Sequence, residues 1–82
     1  MSEFAEIVVI SGTVNIPVSG PILGIYAPGA TIDIDWVFNG GYAPLCRGVE
    51  VWEPPIAFNP RDTSYLSITS ASAVTVTIRR QQ

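Results

Sequence analysis

Between Thr31 and Phe38 the chain alternates without a break. Ile32, Ile34, Trp36 and Phe38 are large and apolar, and Asp33, Asp35 and Val37 sit between them. A period of two belongs to a strand, because successive side chains point to opposite faces. The spacing therefore puts four bulky apolar groups on one side of a sheet. Asn39-Gly40-Gly41 follows, residues that accept positive φ and end a strand. The stretch 31–38 is predicted to be a central strand with one face in the core.

The rest of the chain has the same period. Residues 4–10, FAEIVVI, contain the unbroken run Ile7-Val8-Val9-Ile10. Such a run predicts a strand covered on both faces, or one with a face in the core and a face against a neighbour. It is also the most aggregation-prone window, an edge that needs covering. Ser11-Gly12 signals a turn. Val14, Ile16 and Val18 then share one face, and Pro17, which cannot donate to a ladder, demotes this strand to an edge or a bulge. Ser19-Gly20-Pro21 breaks the chain, and Ile22–Tyr26 reads as a short strand weakened by Gly24. Ala27-Pro28-Gly29-Ala30 fits a type II turn.

Residues 39–47 have no period and read as a loop. Gly48–Glu53 reads as a strand with Val49 and Val51 on one face and Glu50 and Trp52 on the other. Residues 54–63, PPIAFNPRDT, hold three of the seven prolines. They predict an irregular binding loop presenting Ile56 and Phe58. Two last strands, Ser64–Thr69 and Ala73–Arg80, are predicted to form an antiparallel hairpin through Ser70-Ala71-Ser72. No window sustains helical spacing. The expectation is an all-β fold: a small antiparallel β-sandwich or barrel of six to seven short strands. It forms one domain over residues 1–82, with strand 4–10 able to pair with a neighbour.

Composition narrows the function. A chain of 82 residues has a small core, and such domains often need disulfides, metal or assembly as support. One cysteine, Cys46, allows no internal disulfide, and histidine is absent. Assembly is left as the available support. Only 13% of residues are charged, and there is no lysine. Average soluble domains carry roughly 25%, so part of this surface is expected to be covered by protein. A net charge of −3, with Arg79-Arg80 the only basic pair, argues against nucleic acid. No apolar run reaches the roughly 20 residues that span a bilayer, so no membrane partner is expected. The N-terminal MSEFAE lacks a basic n-region and a long h-region, so no secretory signal is expected and Cys46 is expected to be a free thiol.

Catalytic readings have little to work with. Without histidine or lysine there is no Ser-His or Cys-His pair and no Schiff base. Asp33 and Asp35 share a strand face at roughly 7 Å, a spacing within reach of glycosidase carboxylates. Nothing in the sequence would raise one pKa above the other, so a solvated strand face is the simpler reading. The same pair, with Asn39 and Glu50, is a thin ligand set for calcium. Cys46 beside Arg47 is read as a small hydrophobe rather than an activated thiol. No enzyme activity, cofactor or metal is expected.

The aromatic residues Trp36, Tyr42, Trp52, Phe58 and Tyr65 offer a second reading, a carbohydrate- or peptide-binding module. Among them Trp52, set opposite Val49 and Val51 beside the proline-rich loop, is the candidate anchor. The expected protein-binding residues are Ile7, Val8, Val9, Ile10, Trp52, Pro55, Ile56, Phe58 and Arg61.

In overall character the chain resembles the small accessory proteins of tailed-phage virions, the capsid decoration or cement proteins. The likeness rests on its short all-β pattern, few charges, loops such as PPIAFNPRD, and the apolar segment FAEIVVI. It covers the whole chain and carries no residue-level assignment. It implies a structural virion protein, made in a host cytoplasm, that clamps neighbouring capsid subunits, often as a dimer or trimer. A carbohydrate- or peptide-binding module and a small carboxylate enzyme stand as the alternatives.

Overall fold

The computed structural model describes residues 3–18, 20–60 and 64–81. The described residues form six antiparallel strands: β1 (Glu3–Pro17), β2 (Ile22–Tyr26), β3 (Ile32–Phe38), β4 (Gly41–Val49), β5 (Val51–Trp52) and β6 (Tyr65–Gln81). The all-β expectation holds. The 17-residue β6 is the hub. β1 pairs with its whole length on one side, from Glu3↔Gln81 to Pro17↔Tyr65. On the other side β3 pairs with its first half and β2 with its second. β4 then pairs with β3, and β5 with β2.

The result is one antiparallel sheet of four long chain segments, folded across its middle into two facing halves. Every segment breaks along the same crease. In β1 the break is at Ser11-Gly12, where the register shifts and Gly12 has φ 91°. Opposite it, Ala71-Ser72 loop out of β6, held by Ser70 Oγ donating to the Ser72 carbonyl at 2.7 Å. The third segment turns at residues 27–31, where Gly29 has φ 89° and the Ala30 amide bonds the Ala27 carbonyl. The fourth breaks at Glu50, whose carbonyl accepts from the Ala27 amide at 2.7 Å.

Several expectations change accordingly. Strands 4–10 and 13–18 are one strand, and Ser11-Gly12 is a bend within it, opposite a bulge of β6 at 71–73. The segments 64–69 and 73–80 do not pair as a hairpin; they are the two halves of β6. Both turn signals are real, but Gly12 faces Ser70 across the ladder. Small residues at matching heights let a ribbon bend without either strand reversing. Residues 39–47 are not a loop. Asn39-Gly40, with Gly40 at φ 86°, is a tight hairpin, and β4 follows. Its lack of apolar period comes from register shifts between Ile32 and Ile34 and again between Ile34 and Asp35.

The core lies between the two halves. Ile32, Ile34, Leu66 and Ile68 from one half meet Ile10, Ile22, Ile25, Val76 and Ile78. Inward residues of β6 are the even-numbered ones on both sides of the crease, so its side-chain phase survives the bend. The phase across Glu50 does not survive. Val49 is partly buried against the core, Val51 is exposed, and Trp52 again packs against the core. The expected sharing of a face by Val49 and Val51 is therefore overturned by the break between β4 and β5.

Candidate interaction surface

The second half of the sheet has an outward face formed by β1, β6, β2 and β5. Register fixes its rows. Ile7 lies beside Thr77, Thr77 beside Tyr26, and Tyr26 beside Val51, one side chain from each of the four strands. Val9 and Thr75 form the row on one side, and Ala5, Arg79 and Gly24 the row on the other. Directly opposed side chains on one face sit about 5 Å apart, so these rows form a continuous surface. Ile7 is 60% exposed, Val9 69% and Val51 52%. Large β-branched side chains standing this far into water have no role in the chain's own core.

A polar band bounds this face. Tyr26 Oη donates to Glu53 Oε2 at 2.6 Å, and Arg79 Nη1 donates to Tyr26 Oη at 3.0 Å. Arg79 Nε lies 3.2 Å from Glu3 Oε1. The band thus runs from β1 over β6 and β2 to the residue after β5. Its carboxylates lie on either side of Arg79, and the rows beside it are uncharged. The hydrogen bond to Glu53, aided by burial, raises the Tyr26 hydroxyl above its ordinary value, against the pull of the Arg79 charge. Gly24 makes room for this tyrosine: a Cβ there would stand 2.5 Å from Tyr26 Oη.

The expected binding residues divide between surface and core. Ile7 and Val9 lie on the outward face, and Val51 joins them. Val8 is partly buried and Ile10 fully buried on the other side of β1. Pro55 is exposed and Ile56 is 81% exposed in the 54–60 segment. Arg61 lies outside the described residues. Trp52 points opposite to its expected outward placement. It packs edge-on against Phe58, which in turn meets Trp36 of the other half, with ring centroids 5.7 and 5.6 Å apart. Phe58 also exchanges two backbone hydrogen bonds with Ile22. The irregular loop is thus pinned to β2, and its aromatic ring wedges between the halves. These rings form an edge-to-face cluster on the core, not a flat platform for a sugar.

Two further expectations are placed by the geometry. Asp33 Oδ1 accepts from the Gly48 amide at 2.8 Å, and Asp35 Oδ1 pairs with Arg47 Nη2 at 2.7 Å. Both carboxylates hold the bulged part of β4 against β3. Glu50, the other carboxylate considered for calcium, is instead near the Gly29 amide. Among the described residues no three cysteine, aspartate or glutamate side chains gather as a metal site. Cys46 is partly buried beside Ile34, and burial pushes its thiol upward despite a weaker opposing bond from the Ile34 backbone.

At the open side of β1, Phe4, Ala5, Glu6, Pro17 and Arg80 line a depression of about 440 Å3. The Arg80 side chain is only 6% exposed. Its Nε donates to Glu6 Oε1 at 2.9 Å and its Nη2 to the Pro17 carbonyl at 3.1 Å. Arg80 therefore clasps the two ends of the folded β1 to each other.

Val51, Tyr26, Thr75 and Thr77 were not among the sequence-derived binding residues. The alternation of Thr75 and Thr77 with Val74, Val76 and Ile78 does mark their face as outward. For Val51 the alternation misleads: read across 48–53 it sets Val51 on the face of Val49, and the break at Glu50 reverses that phase. A comparison of the chain with known protein families, curated proteins and solved structures finds no match.

Proposed function

We propose that this protein is a structural assembly protein that binds and stabilises a larger protein lattice, of the capsid decoration or cement type. The observation that carries this reading is the uncharged outward face of Ile7, Val9, Thr75, Thr77 and Val51. Monomers rarely leave large β-branched side chains grouped in water, and such faces mark protein contacts. The bounding band of Glu3, Arg79, Tyr26 and Glu53 gives that contact a polar rim, the usual arrangement of a protein interface. Ile56, on its own loop, adds a second apolar projection. Binding by this face would hold neighbouring subunits by burial of apolar area, with no chemistry required of the chain.

The test is co-migration with purified capsid shells of tailed phages. The protein is expected to travel with purified shells in a density gradient at a fixed ratio and to raise their temperature of disruption. Ile7→Asp together with Val51→Asp is expected to abolish both effects without changing the circular dichroism of the free protein. A protein that stays at the top of the gradient, with shells no more resistant to heat, overturns the proposal. The carbohydrate- or peptide-binding reading loses Trp52 and Phe58, which pack on each other and on the core, and keeps only the exposed Tyr42 and Tyr65 on either side of Val37.

A further inference from the structure

The outer edge of β1 is the longest unsatisfied feature of the fold. Among the described residues β1 pairs with β6 alone, so one side of a 15-residue strand offers unpaired amides and carbonyls. Proteins blunt such edges with charges, proline and bulges. β1 has charges and a proline toward its ends and a bend at Gly12. Glu3 and Glu6 guard the first residues, the bend at Gly12 interrupts the middle, and Pro17 ends the strand. Between them Ile7-Val8-Val9-Ile10-Ser11 has no guard. This run spans about 17 Å, the length of an average strand in a sheet.

We infer that this segment pairs antiparallel with the same segment of a second copy, across a two-fold axis at Val9. The distribution of charge along β1 selects the occupant and the direction. Both of its charges lie at positions 3 and 6, and the strand is uncharged from Ile7 to Pro17. Antiparallel pairing sets Glu6 toward Gly12 of the second copy, and past that crease the second copy's β1 bends out of line with Glu3. Parallel pairing in register would stack Glu3 on Glu3 and Glu6 on Glu6, which is destabilising. The edge is thus complementary to its own reverse, the condition for a closed two-fold contact.

Side-chain phase puts the axis on a residue, and the middle of the unguarded run 7–11 makes that residue Val9. Opposed residues share a face, so residues of like parity must meet. Centring on Val9 places Ile7 opposite Ser11 of the second copy on the outward face. Val8 and Ile10 meet on the core side. The two sheets become continuous, and the exposed Ile7 and Val9 of each copy come together at the seam. Pairing of this kind needs no lattice and goes beyond the function proposed above.

Sedimentation equilibrium of the intact protein, taken up to millimolar concentration, tests it. The expected species at the top of that range has twice the 8.8 kDa mass of the chain. Val9→Lys sets two like charges on the axis and is expected to weaken the dimer at least a hundredfold. Val9 is 69% exposed, so the near-ultraviolet circular dichroism should not change. Val9→Cys in a Cys46→Ala background is expected to form an intermolecular disulfide at least tenfold faster than Thr13→Cys in the same background. This second measurement decides the matter if the lysine variant does not fold. A monomer throughout, a trimer or larger ring, a dimer indifferent to Val9→Lys, or equal cross-linking at positions 9 and 13 overturns the inference. None of these readouts uses capsid shells, so failure here and failure of lattice binding are told apart.

Discussion

Tyr26 has the most distinctive side-chain environment on the outward face. Its hydroxyl donates to Glu53 and accepts from Arg79, and its folded-state value lies above the ordinary 10.0. A proton held more tightly by the folded state stabilises it. That contribution is fully present below the unfolded value and is lost as pH rises through the raised folded one. Urea unfolding at a series of pH values should therefore show stability falling above about pH 10. In Tyr26→Phe the fall should be shallower. An equally steep fall in that variant would assign it to other groups. Gly24→Ala bears on the same hydroxyl from beneath. The added Cβ at 2.5 Å must expel the Tyr26 ring from its place over the strand. The expected outcome is loss of the Glu53 and Arg79 bonds, seen as return of the Tyr26 titration to its ordinary range. An unchanged titration would show that the ring accommodates the methyl group in place.

At the scale of the element, β4 shows how an irregular strand is held. It carries two register shifts against β3, and shifts of this kind leave ladder groups unpaired. Asp33 answers one of them by accepting the Gly48 amide, at a position where Gly48 takes φ 64°. Asp35 makes an ion pair with an exposed Arg47, a kind of contact that adds little. The two aspartates, identical in type and two residues apart, should therefore differ in worth. Asp33→Ala should cost about 1.5 kcal/mol in denaturant unfolding, the range for a hydrogen bond to a charged group. Asp35→Ala should cost clearly less. Equal costs would mean that the Gly48 bond does not hold the bulge. The sequence placed both carboxylates correctly on the face away from Ile32 and Ile34. It could not show their use, because the partner amide lies fifteen residues away in a stretch without period.

At the scale of the whole molecule, Arg80 is the clasp. A sheet folded in two must keep its ends together, and the Arg80 guanidinium joins the two ends of β1 by spanning Glu6 and Pro17. Removing a buried partner of a charged pair commonly costs 3–5 kcal/mol, and the partly exposed Glu6 lowers that to about 2–3 kcal/mol. Arg80→Ala should show this loss in urea unfolding. It should also show faster amide exchange at residues 4–6 than at the crease. Arg79→Ala, at a side chain 43% exposed, is the contrast and should cost much less. Uniformly faster exchange over the whole chain in Arg80→Ala would mean that the arginine supports the core in general rather than the ends of β1.

The sequence alone determined the all-β class, the inward set Ile32, Ile34, Leu66, Ile68, Val76 and Ile78, and the bends at 11–12, 27–30 and 70–72, but not the break at Glu50. Alternation reports which side of a strand is dry, and Gly and Ser report where a backbone leaves the extended form. Both are local properties. What only the tertiary structure decided was the meaning of each bend. Ser11-Gly12 and Ser70-Ala71-Ser72 read as turns until register set Gly12 against Ser70, and a paired ribbon creased there instead of reversing. The same crease, passing through Glu50, turned Trp52 into the core and Val51 out of it. A chain's phase relative to the core depends on where its partners break, and that relation joins residues up to about sixty positions apart.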